Sequence, residues 1–126
     1  MAVPIYQAKA ELFRTLGHPA RIRILELLVE RDRAVQELAE HIDIEASNLS
    51  AQLAVLRRAG LVTQRRVGHE AEYSITIPEV RDLLTAGRRI LLEILDGQTV
   101  LRTALAGEPA ANEVKTATTV TAGRPS

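Results

Sequence analysis

LGHPARIRILELL (Leu16–Leu28), AVQELAEHI (Ala34–Ile42), SNLSAQLAVLRRAGLV (Ser47–Val62) and RRVGHEAEYSI (Arg65–Ile75) are four segments of one stretch whose reading decides the fold. In the first, Gly17-His18-Pro19 breaks the chain, and proline at a first helical position starts a helix running to about Glu30. That helix is apolar on several sides (Ile22, Ile24, Leu25, Leu27, Leu28, Val29), so it is read as the buried centre. The second segment predicts a short helix over Val35–His41 with Val35, Leu38 and Ile42 on one face. Asp43–Ala46 then turns, and Ser47 or a close neighbour caps a further helix whose apolar positions Leu49, Leu53 and Leu56 recur at i, i+4 and i+7. Gly60 stands where a helix stops. Beyond it the period falls to two. Val62–Val67 and Ala71–Thr76 read as strands, joined at Gly68-His69-Glu70.

Working outward, Ile5, Ala8, Leu12, Phe13 and Leu16 make a helical stripe ahead of this stretch. Pro78 opens a last helix to about Leu95, with Val80, Leu83, Leu84, Leu91, Ile94 and Leu95 as its stripe. The predicted order is α-α-α-α-β-β-α, mainly α with a small β-hairpin, which is a winged helix-turn-helix. Residues 1–96 form the expected domain. Residues 97–126 form an expected disordered tail, because beyond Gly107 the composition turns to Ala, Thr, Pro and Gly.

Composition bounds the chemistry. The chain has 126 residues, enough for one domain. Phe13, Tyr6 and Tyr73 are its only aromatics, so the core must come from Leu, Ile, Val and Ala. With no cysteine, disulfides, thiolate metal sites and thiol redox switches are excluded. No apolar run approaches the ~20 residues that cross a bilayer, and no signal-peptide pattern opens the chain, so a soluble, cytoplasmic protein is expected. No nucleophile–base pair, phosphate loop or metal motif points to an enzyme, and no cofactor is expected.

The formal net charge is zero, yet Ala46–His69 holds Arg57, Arg58, Arg65 and Arg66 and no acid. A local basic patch, rather than the total charge, releases counterions from DNA. Arginine outnumbers lysine 14 to 2, which a GC-rich genome also explains. The inward stripe of the fourth helix turns Ser47, Asn48 and Ala51 outward, with Ser50 and Gln52 on the flanks. Short polar groups at a helix start suit the major groove, where Asn and Gln can pair with adenine. Capping alone accounts for Ser47 or Asn48 but not for Ser50 and Gln52. Arg57 and Arg58 suit both the helix C-terminus and phosphate. Of Arg65 and Arg66, alternation leaves one on the core face and sends the other to the DNA backbone. His69 at the hairpin tip is either a minor-groove contact or a solvated turn residue. The outer helices carry more apolar surface than one small domain buries; Ile5, Leu12, Leu83, Leu84, Leu91 and Leu95 fit a two-fold partner. Such a dimer reads a palindrome with recognition helices about 34–36 Å apart. Gly87 either allows close approach at that seam or is tolerated.

At these residues the chain resembles the ArsR/SmtB family of bacterial winged-helix repressors, over about Tyr6–Leu95. The matching pieces are the first three segments quoted, with VQELAEHI at Val35–Ile42 in the second, and the wing pattern of Arg65, Gly68, Tyr73 and Ile75. The resemblance implies a homodimer paired through its first and last helices, and a repressor that leaves DNA when a signal is sensed. The family's usual sensing residues are missing. ELAEHI at Glu37–Ile42 stands where metal sensors of the family carry cysteines, and the last helix has Glu79, Asp82, Glu93 and Asp96 but no histidine. His18 reads as a structural cap. His41, with Asp43 or Glu45 nearby, is the least unsuited metal ligand, and no metal site is assigned. The input stays open between a Ni or Zn site of His and carboxylates shared across a dimer, a partner protein, a small apolar ligand, and none. A winged helix that binds only proteins is the other class, against which the acid-free stretch argues.

Overall fold

The computed structural model describes residues 2–96 and 99–107. Its elements are α1 (Ile5–Leu16), α2 (Pro19–Glu30), β1 (Arg33–Ala34), α3 (Val35–His41), α4 (Ala46–Arg58), β2 (Val62–Val67), β3 (Glu70–Ile75), α5 (Glu79–Ile94) and α6 (Thr99–Ala106). The chain divides into two compact units, residues 1–82 and 83–126. None of the described helices is long and apolar enough to cross a membrane.

In the first unit, Pro19 at N1 and His18 at the N-cap start α2, and the imidazole Nδ1 of His18 accepts the Ala20 N–H at 3.1 Å. The cap predicted for His18 is present. Ile24, Leu25, Leu27 and Leu28 of α2, Leu38 of α3, and Leu49, Leu53 and Leu56 of α4 make the core. Burying each such side chain favours the fold by about 1.5–3 kcal/mol.

Three local readings are corrected. Arg31-Asp32-Arg33 reads in sequence as a short polar connection, but Arg33 does not belong to one. It pairs as a strand residue with Tyr73, so the sheet has three antiparallel strands in the order β1-β3-β2. Its side chain is buried, donating to the Leu27 carbonyl at 3.1 Å and to Glu30 at 2.5 Å. Two residues are too short for a periodicity to show. Next, α4 begins at Ala46 with Glu45 as N-cap, so Ser47 lies inside the first turn and caps nothing. Finally, the hairpin turn has two residues: Val67 pairs with Glu70 around Gly68-His69. Gly68 takes φ 66° and, among the described residues, no non-glycine residue has positive φ, the pattern of a II′ turn.

At the far end of α4, the Gly60 N–H bonds the Arg57 carbonyl at 2.9 Å and the Leu61 N–H bonds the Leu56 carbonyl at 3.0 Å. With Gly60 at φ 82° this is a Schellman stop, and it delivers Leu61 and Val62 into the core at the head of β2. At the start of α3, Glu37 reaches back to the Ala34 N–H at 3.2 Å and pairs with Arg31 at 2.5 Å. The Arg31 hydrogen bond first, then the Ala34 N–H, hold the Glu37 carboxyl below the usual carboxylate range.

In the second unit, Arg88 donates to the Leu105 carbonyl. α6 occupies part of the stretch expected as tail, and residues 108–126 lie outside the described residues.

Candidate nucleic-acid interface

α3, the turn at 42–45 and α4 form a helix-turn-helix. Leu49, Leu53 and Leu56 anchor α4 against α2 and β2, which fixes which side of α4 looks outward. Ser47, Asn48 and Ala51 are exposed on that outward side, as the stripe predicted, and Ser50, expected on a flank, is exposed as well. Gln52 is half-buried and engaged at both ends of its amide. Its Oε1 accepts from Arg21 Nε at 2.8 Å and its Nε2 donates to Asn48 Oδ1 at 2.9 Å. Arg21 also donates to the Thr15 carbonyl at 2.9 Å, tying the end of α1, α2 and the first turns of α4 together. Arg21 was not anticipated, since it is 31 residues from Gln52 in sequence.

Arg57 and Arg58 are exposed at the C-terminal end of α4, where the helix dipole also favours them. With Ala54, Val62, Thr63 and Gln64 they line an open concavity of about 410 Å³ between α4 and β2.

In the wing only Val62 of β2 is buried, so both Arg65 and Arg66 are exposed and neither takes the core face. The ribbon runs past the core after its first residues, and alternation there separates two solvated faces. Arg65 is not free: it sits across from Glu72 and donates to its Oε1 from Nη2 at 2.9 Å and from Nε at 3.2 Å. Arg66 donates to the His69 carbonyl at 3.2 Å, and His69 is exposed at the tip. The Arg65–Glu72 pairing follows by counting back from a two-residue turn. A three-residue turn shifts it to Tyr73.

Of the apolar residues assigned to a two-fold partner, Ile5, Leu12 and Leu91 are exposed, Leu83 and Leu84 are half-buried, and Leu95 is already buried within the chain. Tyr6 and Phe13 on α1 and Ile90 and Ile94 on α5 are exposed as well. The histidines stay apart in role: His18 caps α2, His41 Nδ1 bonds the Glu37 carbonyl at 2.8 Å, and His69 tops the wing. Among the described residues no group of three His, Asp or Glu side chains is arranged to hold a metal.

The sequence pattern of bacterial regulatory proteins of the arsR family matches residues 18–64, which span α2 through the start of the wing. The HTH-type transcriptional regulator Rv0081 of Mycobacterium tuberculosis is 57% identical over 93 residues, covering 73% of this chain and 82% of the relative. Its crystal structure aligns with a TM-score of 0.71 at 54% identity, over 78% of this chain and 99% of that one. A biofilm growth-associated repressor of Xylella fastidiosa is 39% identical over 77 residues, covering 61% of this chain and 68% of the relative. The homodimeric winged helix-turn-helix DNA-binding domain Mb0332 of Mycobacterium bovis aligns with a TM-score of 0.66 at 29% identity, over 75% of this chain and 87% of that one. With the helix-turn-helix and wing in place, and with this likeness over most of its length, the chain belongs to the arsR family of bacterial regulatory proteins.

Proposed function

We propose that this chain is a homodimeric repressor that reads a palindromic operator with α4 in the major groove and the wing alongside the backbone. The observation that carries this reading is the acid-free run Ala46–His69, folded so that the outward side of α4, the Arg57–Arg58 end and the wing arginines all belong to one helix-turn-helix and hairpin. Ser47, Asn48, Ser50 and Ala51 then face base edges, with Gln52 behind them. Arg57, Arg58, Arg65 and Arg66 neutralise phosphates, and His69 sits at the wing tip near the minor groove.

Exposed apolar side chains on α1 (Ile5, Leu12, Phe13) and on α5 (Ile90, Leu91, Ile94) supply surface for a second copy, and homodimerisation is described for the Mycobacterium bovis neighbour. The reading gives the chain no catalytic step, and a regulator of this kind works in the cytoplasm. Selection of bound duplexes from a random pool, with sedimentation of the protein at micromolar concentration, tests it. A palindromic consensus bound by a dimer is expected. A monomer, or a bound pool with no consensus, refutes it.

A further inference from the structure

We propose that Arg21, outside the recognition helix, sets base specificity by fixing the direction in which the Asn48 amide faces, through Gln52. The inference rests on the reading that α4 enters the major groove.

An arginine Nε can only donate, so the Gln52 amide must turn its oxygen to Arg21, as it does at 2.8 Å. That leaves Gln52 Nε2, a donor, pointing along the helix to the residue one turn earlier. Asn48 must therefore present its oxygen to Gln52, as it does at 2.9 Å. The far side of the Asn48 amide is then its Nδ2 group, with two N–H donors turned toward solvent on the exposed face of α4. Arg21 is itself held by the Thr15 carbonyl, so the relay starts from a fixed point. Read this way, Gln52 is a positioning residue, and Asn48 seeks acceptors on the base edge: guanine O6 and N7 or thymine O4, which come with no N–H donor beside them, ahead of adenine, whose N7 acceptor sits next to its N6–H2 donor, and of cytosine, which has only a donor.

The chemistry predicts a reversal. In Q52E the carboxylate has only acceptors, still pairs with Arg21, and now requires a donor from Asn48. The Asn48 amide rotates and turns its oxygen outward. R21M removes the first donor and leaves both amides free to turn, with no added charge on the DNA-facing side.

The test is selection from a random duplex pool with the wild-type protein, N48A, R21M and Q52E, each first checked for wild-type helical content and melting. N48A identifies the base pair that Asn48 reads. At that pair the wild type is expected to favour guanine or thymine over cytosine by about tenfold, R21M to reduce this below about threefold, and Q52E to move preference to cytosine or adenine, which present N–H donors. Either variant alone decides the matter if the other fails to fold or bind. An unchanged profile in R21M or Q52E, or a uniform loss in R21M with a salt slope shallower by about 1.8 for the two copies in a dimer, overturns the relay and makes Arg21 a scaffold or phosphate residue. A wild-type protein that selects no consensus overturns the operator reading and this inference with it.

Discussion

Glu72→Gln should make this protein bind DNA more tightly. Arg65 lies across from Glu72 in the β2–β3 register, and two of its nitrogens share one carboxylate oxygen at 2.9 and 3.2 Å. An arginine held in this way has to exchange a carboxylate for a phosphate when the wing meets DNA. The side chains are 66% and 25% exposed, which puts the pair in the class of surface ion pairs. Such pairs contribute about 0–1 kcal/mol, so the substitution barely touches folding. In a dimer the two wings together release up to about 2 kcal/mol to binding, or up to roughly 30-fold in affinity at low salt. Two arginines committed more fully to phosphate also steepen the dependence of log affinity on log salt, by up to about 1.8. Fluorescence anisotropy titrations of a selected duplex at several salt concentrations measure both quantities. R65A is the necessary partner: in its background E72Q should add little. Unchanged affinity and slope in E72Q would show that Arg65 is not aimed at DNA. Equal tightening with and without Arg65 would show that Glu72 acts through general charge, and would refute the exchange.

Leu53 is 1% exposed in the core beneath α4, so Leu53→Ala should cost about 2–5 kcal/mol, read as a shift in the urea midpoint; a loss below about 1 kcal/mol would mean α4 is not anchored there. Gly60→Ala meets no neighbouring atom but has to hold φ 82°, so its cost of about 1–2 kcal/mol comes from backbone conformation alone, and Gly60→Asn should recover part of it in the same assay. The Glu37 carboxyl titrates below its unfolded value, so its contribution to stability is complete above that value and fades as pH falls through the lower, folded one. Denaturation curves of the wild type and Glu37→Gln should therefore differ at neutral pH and converge in acid; a gap that persists at low pH would assign the stabilisation to something other than the ionised carboxylate.

Much of this was legible in the sequence because helices are read from spacing. Leu49, Leu53 and Leu56 alone oriented α4, since a stripe at i, i+4 and i+7 has one inward side and leaves Ser47, Asn48 and Ala51 outside. Pro19, Gly60 and Gly68 punctuated the chain where backbone sterics allow few alternatives, and the missing cysteines ruled out thiol chemistry outright. What sequence could not supply was the partner of each polar group. Pairing of Arg33 with Tyr73, Arg65 with Glu72, and Arg21 with Gln52 depends on strand register and helix crossing, which bring distant residues within hydrogen-bond reach. Register is sensitive to a single residue: a two-residue turn puts Glu72 opposite Arg65, and a three-residue turn does not. Local sequence thus determined the longer helices, the hairpin and the direction α4 faces, but not β1, α6 or the facing of the wing arginines, because propensity and periodicity act over a few residues. Only the tertiary structure decided which exposed cations are already paired and which amides already have a direction, because those are properties of contacts between elements.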